Sequence, residues 1–448
     1  MKVKLIVLIL TAFFSILNSY SQSLRIENEI PENKLKSNLF FLASDELRGR
    51  GSGSTEAAIT ARYIAEKFRE FNTEAVNGDD YIQPFQLFNT KYAKESSMKI
   101  GEKQLEWATQ FIIRNGGVST IYGNVLLLES VEAIETSNIK NTLVVTPYSM
   151  ISTKAKVRKN LKSKGSLGWI EILVENQKYY DGLRDFYVGG LITKTKEEQN
   201  ELPQFTINDP AGEFMAKLKN QNNTSFEISI KNEFQNTLHS ANVVSKIEGT
   251  DIKLKDEYII LSAHYDHVGV SKNKNVKDSI YNGARDNAVG AAALICAAEY
   301  FSKYPPKRSV LLMGFGAEEI GLLGSEHYAN NPLIPLKNCV YNLNIDNSGY
   351  NDTKNITIFG NGRTNIDSLV TRSVNEFGLG VLTDPAPEQN FLERSDQFSF
   401  MKKGIPAMEF GMGMTAYDAT IEKYYHQVSD DVSSLDMSYI YKYVCSYI

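Results

Sequence analysis

The sequence predicts an α/β protein whose central sheet is mixed, mostly parallel and flanked by helices, with an inserted, smaller β-rich α/β domain. From residue 239 onward, apolar runs of strand length alternate with helical patterns, an order typical of βαβ units. Several of these runs are apolar throughout, as 310–315 is, which indicates strands buried on both faces. Residues 116–230 carry short β-like runs between polar stretches, and this change in the sequence pattern predicts an inserted domain.

The N-terminal residues are considered separately from the predicted fold. Lys2 and Lys4 come before an apolar run over 5–17, which is shorter than the ~20 residues of a spanning helix. We therefore interpret residues 1–21 as a signal peptide, cleaved before Gln22. An uncleaved membrane anchor is the alternative. The protein is expected to be exported, either periplasmic or secreted, without stable membrane insertion.

The elements follow in order along the chain. Apolar residues at three- and four-residue spacing predict two helices within 31–70, joined by the turn-rich stretch SDELRGRGSGSTEAA. In the insertion, strands are predicted near 124–128, 142–145, 168–174 and 204–207, with helices near 155–164 and 211–218. After it, strands are predicted at 243–247, 258–263, 310–315, 340–345, 356–359 and 405–410, and helices at 287–301, 322–329 and 367–377.

Composition excludes some functions. The net charge of −5 and the pI near 5.8 argue against a nucleic-acid partner, because no basic face is available to neutralise phosphates. The three cysteines, an odd number, are far apart in sequence, so no disulfide framework is expected and at least one thiol should be free. We expect Cys296 and Cys339 to be small core residues.

Polar side chains follow several of the predicted strands. His264 and Asp266 come directly after one strand, Asp346 follows another, and Glu318 and Glu319 follow a third. Ligands bind outside the carboxyl ends of strands in open α/β sheets, so these side chains can converge. Asp286 at the start of an Ala-rich helix and His426 in a later loop complete five potential metal-binding segments.

Each residue alone has a simpler interpretation, such as a helix cap for Asp286 or a structural histidine for His264. The stretch GFGAEE is not a dinucleotide loop, because Glu319 stands where the third glycine is required. Taken together, however, the carboxylates would crowd one sheet edge with negative charge, and divalent cations would resolve that conflict.

Imidazole combined with carboxylate favours zinc over magnesium or calcium. Two Zn²⁺ ions bring four positive charges, which Asp286, Asp346, Glu319 and a bridging hydroxide would neutralise. This count uses only one of the two adjacent glutamates and leaves Glu318 free to handle protons.

These residues resemble the secreted di-zinc aminopeptidase and exopeptidase family, which also contains glutamate carboxypeptidase-like and glutaminyl cyclase-like members. The resemblance covers most of residues 240–435 and rests on ordered blocks: HYDHVG, DNAVGAAALI, FGAEEIGLLGS, NLNIDNSG, RSDQFSF, KGIPAMEF and YHQVSDD. Upstream, DELRGRGSGSTEAA is similar to the family's N-terminal segment. Residues 116–235 resemble its protease-associated insert, which implies a catalytic domain made of 22–115 and 236–448.

The resemblance implies a role for each matching residue. His264 and Asp346 would bind one zinc, Glu319 and His426 the other, and Asp286 would bridge both. Asp266 would fix the tautomer of the His264 imidazole through its carboxylate. Glu318 would be the general base and acid, and Tyr425 either donates to the oxyanion or packs beside the site. His267 would have a structural or rim role, because the ligand positions are already filled.

The implied activity is a metallo-aminopeptidase that removes N-terminal residues from peptides through a metal-bridged hydroxide. Arg394 and Asp396 offer one group for a terminal carboxylate and one for an α-ammonium. A carboxypeptidase-like enzyme, a glutaminyl cyclase and, less favoured, a non-catalytic protein that binds peptides or glycans are the alternatives. The sequence does not predict the oligomeric state.

Overall fold

The computed structural model describes residues 25–149, 154–193, 202–221, 223–271 and 277–448. The predicted signal peptide, 1–21, lies outside these residues, so export stays a prediction. The chain divides into two compact units. The first contains the described residues up to Phe85 together with His239–Ile448, and the second is Gln86–Leu238. Among the described residues, no helix combines the length and apolar character needed to cross a membrane.

Four parallel strands form the centre of the sheet in the first unit. In spatial order they are Ser309–Phe315, Tyr258–His264, Cys339–Ile345 and Ala407–Met412. Two antiparallel strands flank them, Asn232–Ile247 beside Ser309–Phe315 and Asn355–Phe359 beside Ala407–Met412. Further out lie Gly380–Thr383, Glu74–Ala75 and Ile82–Tyr92. The predicted mixed sheet is confirmed, with parallel strands at its centre and antiparallel strands on both sides of them.

Helices cover this sheet. Their bounds are Glu32–Leu42, Thr55–Glu70, Val289–Lys303, Leu323–Asn330, Asp367–Glu376, Gln397–Met401, Ala419–Glu422 and Met437–Tyr447. The helix Val289–Lys303 is buried along most of its length, and its alanines let the backbone approach the sheet. It begins two residues later than predicted, because Asp286 and Asn287 have non-helical dihedral angles within the preceding turn.

The second unit contains a separate sheet. Its strands, in spatial order, are Lys103–Leu105, Ser97–Ile100, Ser225–Ile230, Ser119–Leu127, Thr142–Pro147, Gly168–Val174, Gln204–Asp209 and Phe111–Asn115. Its helices are Lys154–Ser163, Gln177–Val188 and Glu213–Lys219. The predicted insert, 116–235, lies within this unit, which begins earlier because the strands between 97 and 115 pair with strands that follow residue 203. Its identity as a protease-associated domain stays a prediction.

The three cysteines are free thiols, and all three are buried. Cys296 lies in the helix Val289–Lys303 and Cys339 begins a central strand, so their predicted role as small core residues is confirmed.

Gly324 should be intolerant of a side chain. A Cβ atom there would lie 2.1 Å from the Gly316 carbonyl oxygen and 2.5 Å from Asn242 Oδ1. We expect Gly324→Ala to lower the free energy of unfolding by ~1–3 kcal/mol, measured by urea denaturation. Gly182→Ala is the control, since nothing lies within 4 Å of its added Cβ and alanine favours a helix by up to ~1 kcal/mol. A Gly324→Ala protein as stable as wild type would contradict the prediction.

Candidate metal centre

Three neighbouring parallel strands deliver the candidate ligands to one edge of the sheet. The central strand, Tyr258–His264, ends at His264 itself. Glu318 and Glu319 follow the strand on one side, and Asp346 follows the strand on the other. Because parallel strands end at a common edge, side chains from three distant segments meet there.

The turn before helix Val289–Lys303 presents Asp286 to this edge. Asn287 holds the turn against the sheet by donating to the Ile345 carbonyl at 2.8 Å. From the other side, the Asp430 carboxylate accepts the backbone N–H groups of Arg285 and Asp286 at 3.0 and 3.2 Å. The position of Asp286 therefore depends on a carboxylate from near the C-terminus of the chain.

A first group of donors surrounds His264. Its Nε2 atom lies 3.0 Å from Asp346 Oδ1 and 3.2 Å from Asp286 Oδ1. Asp346 is held in place by the Asn347 N–H at 2.7 Å and by the Ser395 hydroxyl. These three side chains converge on one point.

A second group surrounds His426 and shares Asp286 with the first. His426 Nε2 lies 3.1 Å from Asp286 Oδ2 and 3.0 Å from Glu319 Oε2. Asp286 therefore turns one carboxylate oxygen toward each group. The structure brings together all five residues that the sequence singles out as metal ligands.

The two groups fit zinc. Ligands of a tetrahedral zinc with bonds of ~2.0–2.1 Å lie roughly 3.3 Å from one another, and the four separations described above fall between 3.0 and 3.2 Å. The donor atoms are imidazole nitrogens and carboxylate oxygens, which zinc accepts readily. His264, Asp286 and Asp346 can hold one ion, and Asp286, Glu319 and His426 can hold a second.

His267 departs from its expected structural or rim role. The side chain is buried, with Nδ1 2.6 Å from Glu319 Oε1 and 3.8 Å from Asp286 Oδ2. It thus forms part of the second donor group. The repeated histidine of HYDH is a usable signal in the sequence, although the ligand positions are already filled by other residues. The loop after the strand turns inward, which the spacing alone does not reveal.

Asp266 also differs from expectation. His264 Nδ1 lies 3.1 Å from the backbone carbonyl of Asp266, whereas the nearer carboxylate oxygen is 3.9 Å away. The carbonyl, not the carboxylate, therefore orients the imidazole. The carboxylate instead accepts the Glu318 N–H at 3.1 Å and the hydroxyl of Ser52, so it holds the loop that carries both glutamates.

The charges of the site shift the pKa values of its histidines. Burial alone would lower the pKa of His264, but the negative charges of Asp346 and Glu318 raise it well above its usual value. His426 has a raised pKa mainly because Glu319 outweighs its burial. Both imidazoles therefore retain protons among the carboxylates while no metal ion is bound.

The pKa values of three carboxyl groups in the site are shifted. Burial alone would raise the pKa of Asp286, yet His267 and the other two imidazoles hold it well below its usual value. Glu319 behaves similarly, with a pKa of about 2. Glu318 differs, since burial followed by the charges of Asp346 and Glu319 raises its pKa well above the usual range. The pKa values of the two adjacent glutamates are thus shifted in opposite directions.

Tyr425, Arg394 and Glu409 line the same pocket as the donors. The Tyr425 ring stacks on His426, with ring centroids 4.1 Å apart, and its hydroxyl accepts from the Arg394 guanidinium at 3.0 Å. Asp396, expected near a substrate terminus, is instead fully buried and does not line the pocket. Apart from Glu318, the acid that lines the pocket without belonging to a donor group is Glu409.

Comparison with known proteins finds sequences that are similar to part of this chain. Residues 242–443 match Peptidase family M28. Aminopeptidase YwaD of Bacillus subtilis (strain 168) is 28% identical over 203 residues, which cover 44% of this chain and 40% of that protein. A vacuolar membrane protease of Lodderomyces elongisporus is 31% identical over 134 residues, covering 30% of this chain and 12% of that protein. These matches therefore span well under two thirds of either relative.

Solved structures share the fold. An aminopeptidase from Aneurinibacillus sp. strain AM-1 superposes with a TM-score of 0.66 at 21% identity, over 95% of both chains. The zinc aminopeptidase BSAP from Bacillus subtilis gives a TM-score of 0.56 at 18% identity, over 93% of both chains. At these identities the likeness concerns the fold, and it confirms the α/β class predicted from the sequence.

Zinc binding by the metal-free protein at pH 7 should release protons. Protonated imidazole cannot bind a metal ion, so the ions must displace about two protons per chain, one each from His264 and His426. Isothermal titration calorimetry in two buffers of different ionisation enthalpy measures this number. Zinc affinity should also fall as the pH is lowered. A binding enthalpy that is independent of the buffer would contradict the prediction.

Proposed function

We propose that the protein is a zinc-dependent aminopeptidase with two zinc ions per chain, a proposal supported by the match of residues 242–443 to Peptidase family M28. It removes residues from the N-terminus of peptides. The observation that carries the proposal is the position of Asp286, with Oδ1 3.2 Å from His264 and Oδ2 3.1 Å from His426. A carboxylate between two donor groups, each with its own histidine and second acid, suits two adjacent ions.

Glu318 is the proposed general base and acid. When bound, the zinc ions polarise the scissile carbonyl and lower the pKa of the attacking water. Glu318 lines the pocket and lies outside the two donor groups that share Asp286, although its carboxylate also converges with His264 and Glu319. In the metal-free protein, burial and the negative charges of Asp346 and Glu319 raise the pKa of Glu318. Bound zinc ions would offset those charges, so that the carboxylate could take a proton from the water and return it to the leaving amine.

Tyr425 is the proposed donor to the oxyanion. Its hydroxyl stands in the pocket beside His426 and accepts a hydrogen bond from Arg394. That hydrogen bond leaves the phenolic proton free to be donated to the substrate. Burial raises the pKa of Tyr425 to about 12, so the hydroxyl stays protonated at neutral pH.

The lining of the pocket favours an α-ammonium over a carboxylate. Besides the donor carboxylates, Glu409 adds a further acid, 3% exposed, with one oxygen bonded to Gln397. Arg394 is the arginine of this lining, and its hydrogen bond to Tyr425 leaves other guanidinium N–H groups available. A carboxypeptidase-like activity is the second candidate because of this arginine.

Glu318→Gln should keep both zinc ions and lose turnover. The amide preserves the size of the side chain but cannot accept a proton, so kcat should fall by about 10²–10⁴-fold. Zinc content is measured by inductively coupled plasma mass spectrometry and turnover with aminoacyl substrates. Glu376→Gln, at an exposed position on the helix Asp367–Glu376, serves as the control and should be fully active. A fully active Glu318→Gln protein would remove Glu318 from this role.

Blocking one peptide terminus at a time identifies the end that is recognised. We expect N-acetylation to abolish cleavage and C-terminal amidation to leave it unchanged, because the α-ammonium is the group bound. Mass spectrometry of a mixed peptide pool reads the released residue. The reverse pattern would indicate a carboxypeptidase, and loss of ammonia from an N-terminal glutamine without chain cleavage would indicate a cyclase. Activity unaffected by complete zinc removal would refute the zinc-dependent proposal.

A further inference from the structure

A short segment far from the donors in sequence lies between the loops that carry them. Residues 49–52, which we call the strap, follow the helix Glu32–Leu42. A Cβ atom on Gly49 would lie 2.3 Å from the Gly269 carbonyl oxygen and 2.4 Å from that of Tyr281. Gly51 forms a parallel bridge with His267. The strap therefore contacts both the loop after His264 and the turn before Asp286.

Arg50 ties these two segments together. Its side chain is fully buried and donates to four backbone carbonyls. One belongs to Tyr265, next to His264, at 2.8 Å; two belong to Asn282 and Gly283, just before Asp286, at 2.6 and 3.0 Å. The fourth, that of Leu42, anchors the guanidinium to the end of the helix Glu32–Leu42. The rigid planar fork of arginine suits such a set of simultaneous bonds.

The backbone of Arg50 supports the same role. Its φ angle is 50°, a left-handed conformation that is uncommon for residues other than glycine and persists where the surroundings enforce it. The Arg50 carbonyl accepts the N–H of His267 at 3.2 Å. The strained backbone and the buried side chain thus both contact segments that carry donors.

The charge of Arg50 is not neutralised by a carboxylate of its own. Its hydrogen-bond acceptors are neutral carbonyls, while Asp286, Asp266, Asp430 and Glu319 act on it from a distance. Burial lowers the pKa of Arg50 to about 10, so the group remains a cation at neutral pH. It supplies fixed positive charge beside the crowded carboxylates.

Ser52 extends the strap to a third segment. Its hydroxyl donates to Asp266 Oδ2, and the other oxygen of Asp266 accepts the N–H of Glu318. The strap, Asp266 and the turn that carries Glu318 and Glu319 are therefore linked by hydrogen bonds. Strap residues therefore hold three of the five segments that bear donors, namely those of His264, Asp286 and Glu319, directly or through Asp266.

We propose that the strap is a positioning element for the metal centre, in which Arg50 sets the separation of His264 from Asp286 and thereby the affinity for zinc. The proposal rests on the proposed zinc function. Arg50 touches neither substrate nor reacting atoms, so it is not a catalytic residue. Its effect should appear in metal binding itself.

The test measures zinc affinity of the full-length protein by competition with a chromophoric chelator. Arg50→Gln and Arg50→Lys should weaken zinc binding by about 10- to 100-fold, as loss of an outer partner of a ligand does. Lysine keeps the charge but not the fork, so it should not restore wild-type affinity. Val374→Ala, a buried substitution on the helix Asp367–Glu376, is the control for lost stability and should bind zinc normally below its unfolding temperature.

Wild-type zinc affinity in Arg50→Gln would overturn the proposal while leaving the zinc function intact. Wild-type protein that binds no zinc would refute the zinc function and the strap proposal with it. If neither Arg50 variant folds, Ser52→Ala decides the question, because it removes only the hydroxyl that holds Asp266. We expect about 10-fold weaker zinc binding there, and unchanged binding would overturn the proposal.

Discussion

Negative charge crowded at one buried edge of the sheet is the constraint on which the rest of this structure depends. Asp286, Glu318, Glu319 and Asp346 line a single pocket, where desolvation makes each unpaired carboxylate costly. Protonated His264 and His426 offset part of this charge. Two divalent cations would offset it more completely and would leave the imidazoles neutral, as metal ligands must be.

The two neighbouring glutamates show how the fold separates functions within one turn. Ala317 and Leu322 have φ angles of 61° and 62°, so the chain bends sharply on both sides of the pair. Glu319 contacts the imidazoles of His267 and His426, whereas burial and the charges of Asp346 and Glu319 raise the pKa of Glu318. The pKa of Glu319 is therefore lowered, which suits a metal ligand, and the pKa of Glu318 is raised, which suits a group that carries a proton.

Sequence patterns predicted those parts of the site that follow directly from strand order. His264, Glu319 and Asp346 each come after an apolar run, and parallel strands bring such positions together without further information. Contacts between distant segments were not predictable in this way. Asp430 holds Asp286 from a position 144 residues away, and Arg50 reaches the Tyr265 carbonyl across 215 residues. The early start of the second unit was not predicted for the same reason, because residues 97–100 pair with 226–229 and residues 111–115 pair with 204–207, much later in the chain.

The central claim is that the shared carboxylate of Asp286 lies between two zinc ions. Anomalous diffraction from zinc-loaded crystals, collected on both sides of the zinc absorption edge, tests it most directly. We predict two peaks about 3.5–4 Å apart, one beside His264 and Asp346 and the other beside Glu319 and His426. A single peak, or peaks that leave either oxygen of Asp286 without a metal neighbour, would contradict the account.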